Sequence, residues 1–268
     1  MGSISCEDLE EGVRRIAVAR PEARNAITPS VRDELAMAID HATQDHAVRA
    51  VILTAEGPNF SVGGDIDFLR SLDRPSLLAF HRDSLGLVRK LAAFPKPLVA
   101  AVRGACAGGS VGFALCADYL VISGTAFFGI QFMRIGLTPD MGVVYLLKQR
   151  LGRQAYRMIL DDQLIRAKEA KEIGLCDLLV DDASLEIETL ALAKRLAKMA
   201  PLAFRQTKWL MSRANGDFDR YLDEEMSAAA DCFGSAEFTE GMRAFLEKRT
   251  PRFDQTSLPA APGHAETA

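Results

Sequence analysis

Two glycine-rich segments have residue types that suit the binding of a polar ligand by backbone groups. The first covers residues 60–66 (FSVGGDI) and the second covers residues 104–110 (GACAGGS). Glycine lets a ligand approach the backbone closely, and a helix beginning near Ser110 would aim unpaired N–H groups at a bound oxygen. Neither segment has the GK[ST] ending of a phosphate-binding loop, and neither contains GxGxxG. Loop composition alone favours two tight turns.

Cysteine and histidine positions do not predict a metal site or a reactive thiol. The five cysteines form no CxxC pair, and the four histidines do not combine with them in a zinc-ligand pattern. An odd number of unpaired cysteines is typical of a reduced, cytoplasmic protein. No histidine lies near Cys106 in sequence, so we expect this residue to be a small buried thiol rather than a nucleophile.

The composition is that of an ordinary globular chain. Hydrophobic residues make up 49%, charged residues 25%, and the net charge is −4. A nucleic-acid-binding surface would need a basic face, and no apolar stretch reaches the length of a membrane span. The N-terminal residues are acidic and lack the apolar segment of a signal peptide. We therefore expect neither a nucleic-acid partner nor a membrane partner.

Short apolar runs alternate with helical patterns over the first two thirds of the chain, which predicts an α/β fold with parallel strands. The predicted strands are residues 15–20, 50–53, 98–102, 119–122 and 176–180. The predicted helices are residues 110–116, 141–150, 153–161 and 167–173, together with one that starts at Pro29 behind Thr28 as N-cap. Beyond residue 183 only helical patterns follow, with breaks near Pro201, Gly216 and Gly234.

Several motifs together resemble the crotonase, or enoyl-CoA hydratase/isomerase, superfamily. They are residues 20–28 (RPEARNAIT), the FSVGGDI segment, residues 101–118 (AVRGACAGGSVGFALCAD), residues 127–142 (FFGIQFMRIGLTPDMG) and residues 245–251 (FLEKRTP). They follow the family's order and spacing and cover essentially everything except the C-terminal tail. The resemblance gives the two glycine-rich segments a functional meaning that their composition alone does not.

The resemblance implies a spiral of ββα units whose stacked, roughly perpendicular sheets are wrapped by helices. Residues 1–200 would form the acyl-CoA-binding core, residues 201–254 a C-terminal helical subdomain, and residues 255–268 a disordered tail. The helical region would assemble homotrimers or dimers of trimers. The predicted helices beyond residue 183 carry apolar residues that a small subdomain would bury poorly: Leu190, Leu196, Leu202, Trp209 and Leu210.

The family binds an acyl-CoA thioester and holds the thioester oxygen with two backbone N–H groups. By position these belong to Gly64 and Gly109, and coenzyme A is part of the substrate, so no separate cofactor is expected. The resemblance places the adenine and phosphate contacts at Arg24, Ala26, Ser61, Gly63, Asp65 and Ile66. Lys248, on the last helix, would reach a phosphate of the same or a neighbouring subunit. Arg24 and Lys248 are equally compatible with solvated surface positions.

This chain departs from the family's hydratases at both catalytic carboxylates. The positions of the two hydratase glutamates hold Gly112 and Phe132. Neither residue transfers protons, so the departures predict very weak hydration of an enoyl-CoA. One carboxylate remains nearby, that of Asp140.

Family members with Pro-Asp at the position of residues 139–140 resemble acyl-CoA isomerases, notably the ring-epoxide isomerase of the phenylacetate pathway. The resemblance therefore implies a role in fatty acid or aromatic acid catabolism. Asp140 would then shuttle a proton, with Phe132, Ile135 and Met141 as apolar neighbours that raise its pKa. Its alternative role is to cap a helix at residues 141–150.

Two other functions remain open. The family's aryl-CoA dehalogenases use an aspartate here as nucleophile with a histidine base, but Leu85 occupies the histidine position and His81 lies one turn away. A non-catalytic acyl-CoA binder is the other possibility. The sequence does not define the acyl group of the substrate. Five aromatic residues could line its pocket but could equally be core residues: Phe68, Phe80, Phe113, Phe132 and Tyr145.

Overall fold

A computed structural model describes residues 2–132, 137–161, 164–213 and 235–253. The chain divides into two compact units, Met1–Ala197 and Lys198–Ala268. The tail that was expected to be disordered, residues 255–268, lies outside the described residues, as do Gly216 and Gly234. In the described part of the chain, no helix combines the length and the apolar character needed to cross a membrane.

A six-stranded sheet forms the centre of the first unit. Its strands are β1 (Ile4–Asp8), β2 (Val13–Val18), β3 (Ala50–Ala55), β4 (Leu98–Val102), β6 (Tyr119–Ser123) and β9 (Leu178–Val180), in that spatial order. β1 is antiparallel to β2, and every other neighbouring pair is parallel. The five strands predicted from apolar runs are confirmed, with ends that shift by about two residues.

A second, smaller sheet has three strands. Its strands are β5 (Ala105–Ala107), β7 (Phe127–Gly129) and β8 (Leu164–Arg166). β5 pairs with β7 in parallel, and β7 pairs with β8 in antiparallel orientation. These strands of three residues are too short to show a period in the sequence, which explains why apolar patterning did not predict them.

The helices of the first unit are α1 (Pro29–Gln44), α2 (Ile66–Arg70), α3 (Arg74–Ala92), α4 (Ser110–Leu115), α5 (Val143–Leu151), α6 (Gln154–Leu160), α7 (Ala167–Glu172) and α8 (Leu185–Ala197). The second unit contains α9 (Pro201–Arg213) and α10 (Ala236–Leu246). Thr28 accepts a hydrogen bond from the Val31 N–H and caps α1, as predicted.

Alternate residues of the large sheet enter two separate cores. On one face, Ile16, Leu53 and Ala100 pack with residues of α1 and α3. On the other face, Ile52 and Val99 pack with α8. Alternation follows from the two-residue period of a strand, and coverage of both faces explains the continuous apolar runs.

The position of α8 corrects part of the argument for oligomerisation. Leu196 is 2% exposed because α8 lies on the sheet of its own subunit. Leu190 is partly buried in the same cluster. The burial of these two side chains therefore needs no partner subunit.

Candidate active site

Three chain segments meet just beyond the carboxyl ends of β3 and β4. The Ile27 N–H donates to the Gly63 carbonyl over 2.8 Å, and the Ser61 N–H donates to the Ala105 carbonyl over 2.9 Å. The Ala107 N–H returns a bond of 2.9 Å to the Ser61 carbonyl. Residues 24–27, 60–66 and 104–110 are thus joined through the backbone, and the two glycine-rich segments lie side by side.

Glycine is required where these two segments touch. Gly63 has φ 87°, and a Cβ placed on it would lie 2.7 Å from the Ala107 carbonyl oxygen. Gly108 has φ 57° and faces the Gly63 Cα. A side chain at residue 63 would combine an unfavourable φ with a backbone clash. Glycine at residues 63 and 108 therefore allows the two segments to pack closely together.

Two N–H groups are left over where the segments meet. Among hydrogen bonds between described residues, neither the Gly64 N–H nor the Gly109 N–H has an acceptor. The neighbouring groups are engaged, since the Gly63 N–H donates to Ser61 Oγ and the Gly108 N–H to the Gly129 carbonyl. Two fixed, uncommitted donors are the groups that an oxyanion requires.

Two buried serines hold the segments in place. Ser61 Oγ donates to the Asn25 carbonyl over 2.7 Å and accepts the Gly63 N–H over 3.1 Å. Ser110 Oγ accepts the Ala107 N–H over 3.1 Å and lies within hydrogen-bond distance of the Ser61 carbonyl. Both side chains are 1% exposed. The hydroxyl of Ser61, a predicted coenzyme A contact, is therefore committed inside the protein.

The other predicted coenzyme A contacts occupy different kinds of position. Arg24 is exposed and has a left-handed backbone conformation, with φ 50°. Ile66 is 54% exposed. Ala26 is buried, and its carbonyl accepts from Arg20. Asp65 caps α2 by accepting the Phe68 N–H over 3.0 Å. The side chains of Arg24 and Ile66 are thus exposed to a ligand, whereas both the N–H and the carbonyl of Ala26 already have partners within the protein.

Asn25 is a residue of this region whose importance the sequence did not indicate. Its side-chain oxygen accepts the Arg20 N–H, and its amide nitrogen donates to the Glu56 and Asn59 carbonyls. The residue is completely buried and has φ 56°. Asparagine tolerates the left-handed region better than most residues. Asn25 thereby ties the residue 24–27 segment to the turn after β3.

Asp140 lies against the second glycine-rich segment. Its Oδ1 is buried and has no hydrogen-bond partner among the described residues, and it lies 3.2 Å from the point where a Cβ on Gly109 would stand. Its Oδ2 lies 3.9 Å from His81 Nδ1. Burial raises the pKa of Asp140, and His81 opposes this effect when its ring is protonated. The carboxylate is therefore adjacent to one proposed oxyanion donor and has the desolvation that strengthens a base.

The alternative role of Asp140 as a helix cap is wrong. Helix α5 begins at Val143, its N-cap is Gly142, and no side chain caps it. The Val143 N–H bonds to the Asp140 main-chain carbonyl over 2.9 Å. Met141 and Gly142 both have positive φ, 50° and 76°, and they move the helix start away from the carboxylate. A residue other than glycine, such as Met141, is strained in the left-handed region of backbone angles, and such strain is concentrated at functional sites.

Gly112 has a steric role beyond the absence of a glutamate. A Cβ at residue 112 would lie 2.1 Å from the Met141 carbonyl oxygen. The backbone that follows Asp140 therefore occupies the space into which a side chain at residue 112 would extend. In this arrangement a glutamate at residue 112 would clash with the turn that follows Asp140.

Phe132 and Lys248 each lie close to residues that the structure does not describe. Phe132 is 6% exposed, and its carbonyl accepts the Leu137 N–H. Ile135, a predicted apolar neighbour of Asp140, lies outside the described residues. Lys248 lies in the second unit and is exposed, with φ 52°. It follows α10, which ends at Leu246, so its predicted place on the last helix is wrong by two residues.

The remaining candidate side chains divide between core and surface. Phe68 and Phe80 form an edge-to-face pair with centroids 5.2 Å apart. Phe113 is buried, whereas Tyr145 is 59% exposed and therefore is not a core residue. Burial raises the pKa of the Cys106 thiol to about 12, so this thiol is not activated as a nucleophile.

Two uncommitted backbone donors and the partly desolvated carboxylate of Asp140 thus lie near the carboxyl ends of parallel strands. The family model for enoyl-CoA hydratase/isomerase matches residues 8–256. The chain belongs to this family, the crotonase superfamily, whose members act on acyl-CoA thioesters.

Individual relatives agree on the fold and differ in activity. The 1,2-epoxyphenylacetyl-CoA isomerase of Escherichia coli is 32% identical over 252 residues, which cover 91% of this chain and 96% of that protein. The crotonyl-CoA hydratase of Syntrophomonas wolfei is 32% identical over 252 residues, covering 92% and 96%. An enoyl-CoA hydratase structure from Bacillus anthracis has a TM-score of 0.90 at 25% identity, covering 94% of this chain and 99% of that one. The predicted crotonase-like fold is therefore confirmed, and similarity alone does not choose between isomerase and hydratase.

Proposed function

We propose that this protein is an acyl-CoA isomerase that shifts a double bond, or isomerises a ring epoxide, through an enolate. The observation that carries the proposal is the buried, unpartnered Oδ1 of Asp140 beside Gly109. The two hydratase carboxylate positions hold Gly112 and Phe132, which leaves Asp140 as the carboxylate for proton transfer.

The proposed reaction moves one proton along the acyl chain. Asp140 removes the proton from C2 of a 3-enoyl thioester, and the electron pair of the broken C–H bond delocalises into the thioester carbonyl and the double bond. The Gly64 and Gly109 N–H groups hold the resulting dienolate oxygen. Asp140 then returns a proton to C4, and the double bond lies between C2 and C3. No cofactor beyond the coenzyme A of the substrate takes part in this scheme.

The environment of Asp140 suits a group that acts first as a base and then as an acid. An exposed carboxylate is a weak base, whereas burial raises the pKa of Asp140 and brings it closer to the pKa of the C2 proton of the bound thioester. Neutral Asp140, formed after the first transfer, is also less costly to bury than the ionised form. Desolvation thus favours the first transfer, and the second transfer is driven by formation of the conjugated 2-enoyl thioester.

A panel of thioesters tests the proposal on the wild-type protein. The panel contains 3-enoyl-, 2-enoyl- and chloroaryl-CoA esters, followed by mass spectrometry and ultraviolet absorbance. Isomerisation of the 3-enoyl ester raises the absorbance of the conjugated thioester without any change in mass. Conversion of 2-enoyl ester to a product heavier by one water, at the turnover of ordinary hydratases of about 10²–10³ per second, would contradict it.

Hydratase activity is expected to be very weak. Each lost general acid or base lowers the rate by about 10²–10⁴-fold. Neither Gly112 nor Phe132 can act as a general acid or base. Binding of every ester without turnover would instead identify a non-catalytic acyl-CoA binder.

Nucleophilic substitution at an aryl-CoA is a second candidate, favoured by the separation of 3.9 Å between His81 Nδ1 and Asp140 Oδ2. In that reaction Asp140 would displace halide and form an aryl ester, and His81 would activate the hydrolytic water. Mass spectrometry of the wild type with chloroaryl-CoA should detect an ester adduct on Asp140 and released halide. Unmodified protein together with intact ester would exclude this candidate.

We also propose that the protein forms trimers or dimers of trimers, as its family resemblance implies. Light scattering at micromolar concentration should give a multiple of three subunits. A single sharp monomer mass would overturn this proposal.

A further inference from the structure

The two oxygens of the Asp140 carboxylate have different surroundings. Oδ1 is buried, has no described partner and faces Gly109, whereas Oδ2 faces His81 Nδ1 at 3.9 Å. His81 belongs to α3, while Asp140 precedes α5, so the fold brings them together from separate elements. The proposed isomerisation uses Asp140 alone and leaves His81 without a role.

His81 connects the buried carboxylate with the surface. Its side chain is 39% exposed, and that of Asp140 is 30% exposed. A separation of 3.9 Å exceeds a direct hydrogen bond, but catalytic contacts are often long in a free enzyme and tighten when the ligand binds, or act through one water. Histidine is also the side chain that most readily accepts and releases a proton near neutral pH.

We propose that His81 is a positioning residue that holds Oδ2 and serves as the route by which the proton on Asp140 exchanges with solvent. The inference rests on the isomerase function proposed above. It predicts that the proton returned to C4 is partly a solvent proton rather than the one removed from C2.

The proton balance of this route is simple. Asp140 takes the C2 proton and becomes a neutral acid. Rotation about its terminal torsion, which is broad for a carboxyl group, presents the acidic proton to neutral His81, which becomes an imidazolium while Asp140 is again an anion. The imidazolium exchanges a proton with water, returns one to Asp140 and is neutral again. Asp140 then protonates C4, and neither group has gained or lost a proton overall.

The test is isomerisation of 3-hexenoyl-CoA in D2O, with deuterium at C4 of the product measured by mass spectrometry and NMR. Two variants separate the roles of His81. His81→Gln keeps a hydrogen-bond donor but cannot relay a proton, so most C4 deuterium should be lost, with a smaller fall in kcat than in His81→Leu. His81→Leu removes both functions, so kcat should also fall about tenfold, the cost of a lost hydrogen bond to a charged group. His46→Gln, at an exposed histidine of the loop after α1, is the matched control and should behave as wild type.

Equal deuterium incorporation by wild type, His81→Gln and His81→Leu would overturn the inference, as would a wild type that incorporates none. Circular dichroism verifies that the variants are folded. Exchange of the C2 protons of butyryl-CoA with D2O needs no double-bond shift and gives a separate measure of the same route. If 3-hexenoyl-CoA is not isomerised but butyryl-CoA exchange still depends on His81, the proposed function fails while the role of His81 stands. If isomerisation proceeds and neither measurement depends on His81, only the inference fails.

Discussion

The two glycine-rich segments provide similar donors but have different neighbours. A methyl group on Gly64 would meet only the end of the Leu69 side chain, at 2.9 Å. A methyl group on Gly109 would meet Met141 Cγ at 2.6 Å and Asp140 Oδ1 at 3.2 Å. The first segment therefore only positions the Gly64 N–H donor. The second segment positions the Gly109 N–H donor and also sets its distance from the Asp140 carboxylate. Changes in the two segments should have separable effects.

Among the glycine substitutions, the largest effect is expected for Gly109→Pro. Gly109 has φ −61°, which a proline can adopt, so the main loss is the N–H donor. Compared with Gly109→Ala, which adds a Cβ but keeps the N–H, turnover should fall a further ~10²–10³-fold. Steady-state kinetics and circular dichroism provide the check. A folded Gly109→Pro protein as active as Gly109→Ala would show that this N–H holds no oxyanion.

Gly112→Ala should have the next largest effect. Its methyl group would displace the Met141 carbonyl, and a shift of about 1 Å in the following turn can cost on the order of 10²-fold in rate. Overpacking should also lower stability by about 1–3 kcal/mol. We expect the loss mainly in kcat, with KM for the thioester little changed.

Gly86→Ala is the matched control for this substitution. Gly86 lies within α3, and a Cβ there meets no atom within 4 Å. Alanine should raise helix stability by up to about 1 kcal/mol and leave turnover unchanged. If both variants have the same kinetics, Gly112 does not position Asp140.

Matched alanine substitutions in the two segments should separate them by a smaller factor. Gly64→Ala displaces the end of a flexible side chain, so its turnover should fall less than tenfold, while Gly109→Ala should lose more because its methyl group reaches the carboxylate. Both proteins keep their N–H donors. Equal kcat values for the two variants would remove the distinction between the segments.

The smallest expected effect concerns stability and its dependence on pH. Because burial raises the pKa of Asp140 above its ordinary value of 3.8, ionising this group costs folding free energy. The cost is absent below the ordinary value and complete above the raised one. Asp140→Asn carries no such cost, so its melting temperature should rise relative to wild type as pH increases from about 4 to 7. A relative melting temperature that falls over this range would contradict the raised pKa.

The strands and the glycine-rich segments could be predicted because their signals are local. Apolar runs identified the strands of the large sheet, and Gly63 and Gly108 do occupy positive-φ positions that favour glycine. Helix α3 had no such signal over its first half, where Leu77 and Leu78 are exposed and carry no apolar stripe. Only Leu87 and Leu91 near its end have helical spacing and full burial.

The roles of Asp140 and Gly112 could not be separated by sequence. An aspartate two or three residues before a helix suits both a cap and a base, and only the positive φ of Met141 and Gly142 shows that the helix starts later. Gly112 reads in sequence as a missing glutamate, while its contact with the Met141 carbonyl depends on a chain segment about thirty residues away. Such long-range packing has no local pattern.

The most direct test of the single-carboxylate account is the rate of 3-enoyl-CoA isomerisation by Asp140→Asn. Asparagine keeps the shape of the side chain and removes the base, so kcat should fall by about 10²–10⁴-fold with acyl-CoA affinity and fold retained. Asp67→Asn, at a carboxylate whose side chain is 97% exposed, should keep the wild-type rate. An Asp140→Asn protein that isomerises 3-enoyl-CoA at nearly the wild-type rate would contradict the account.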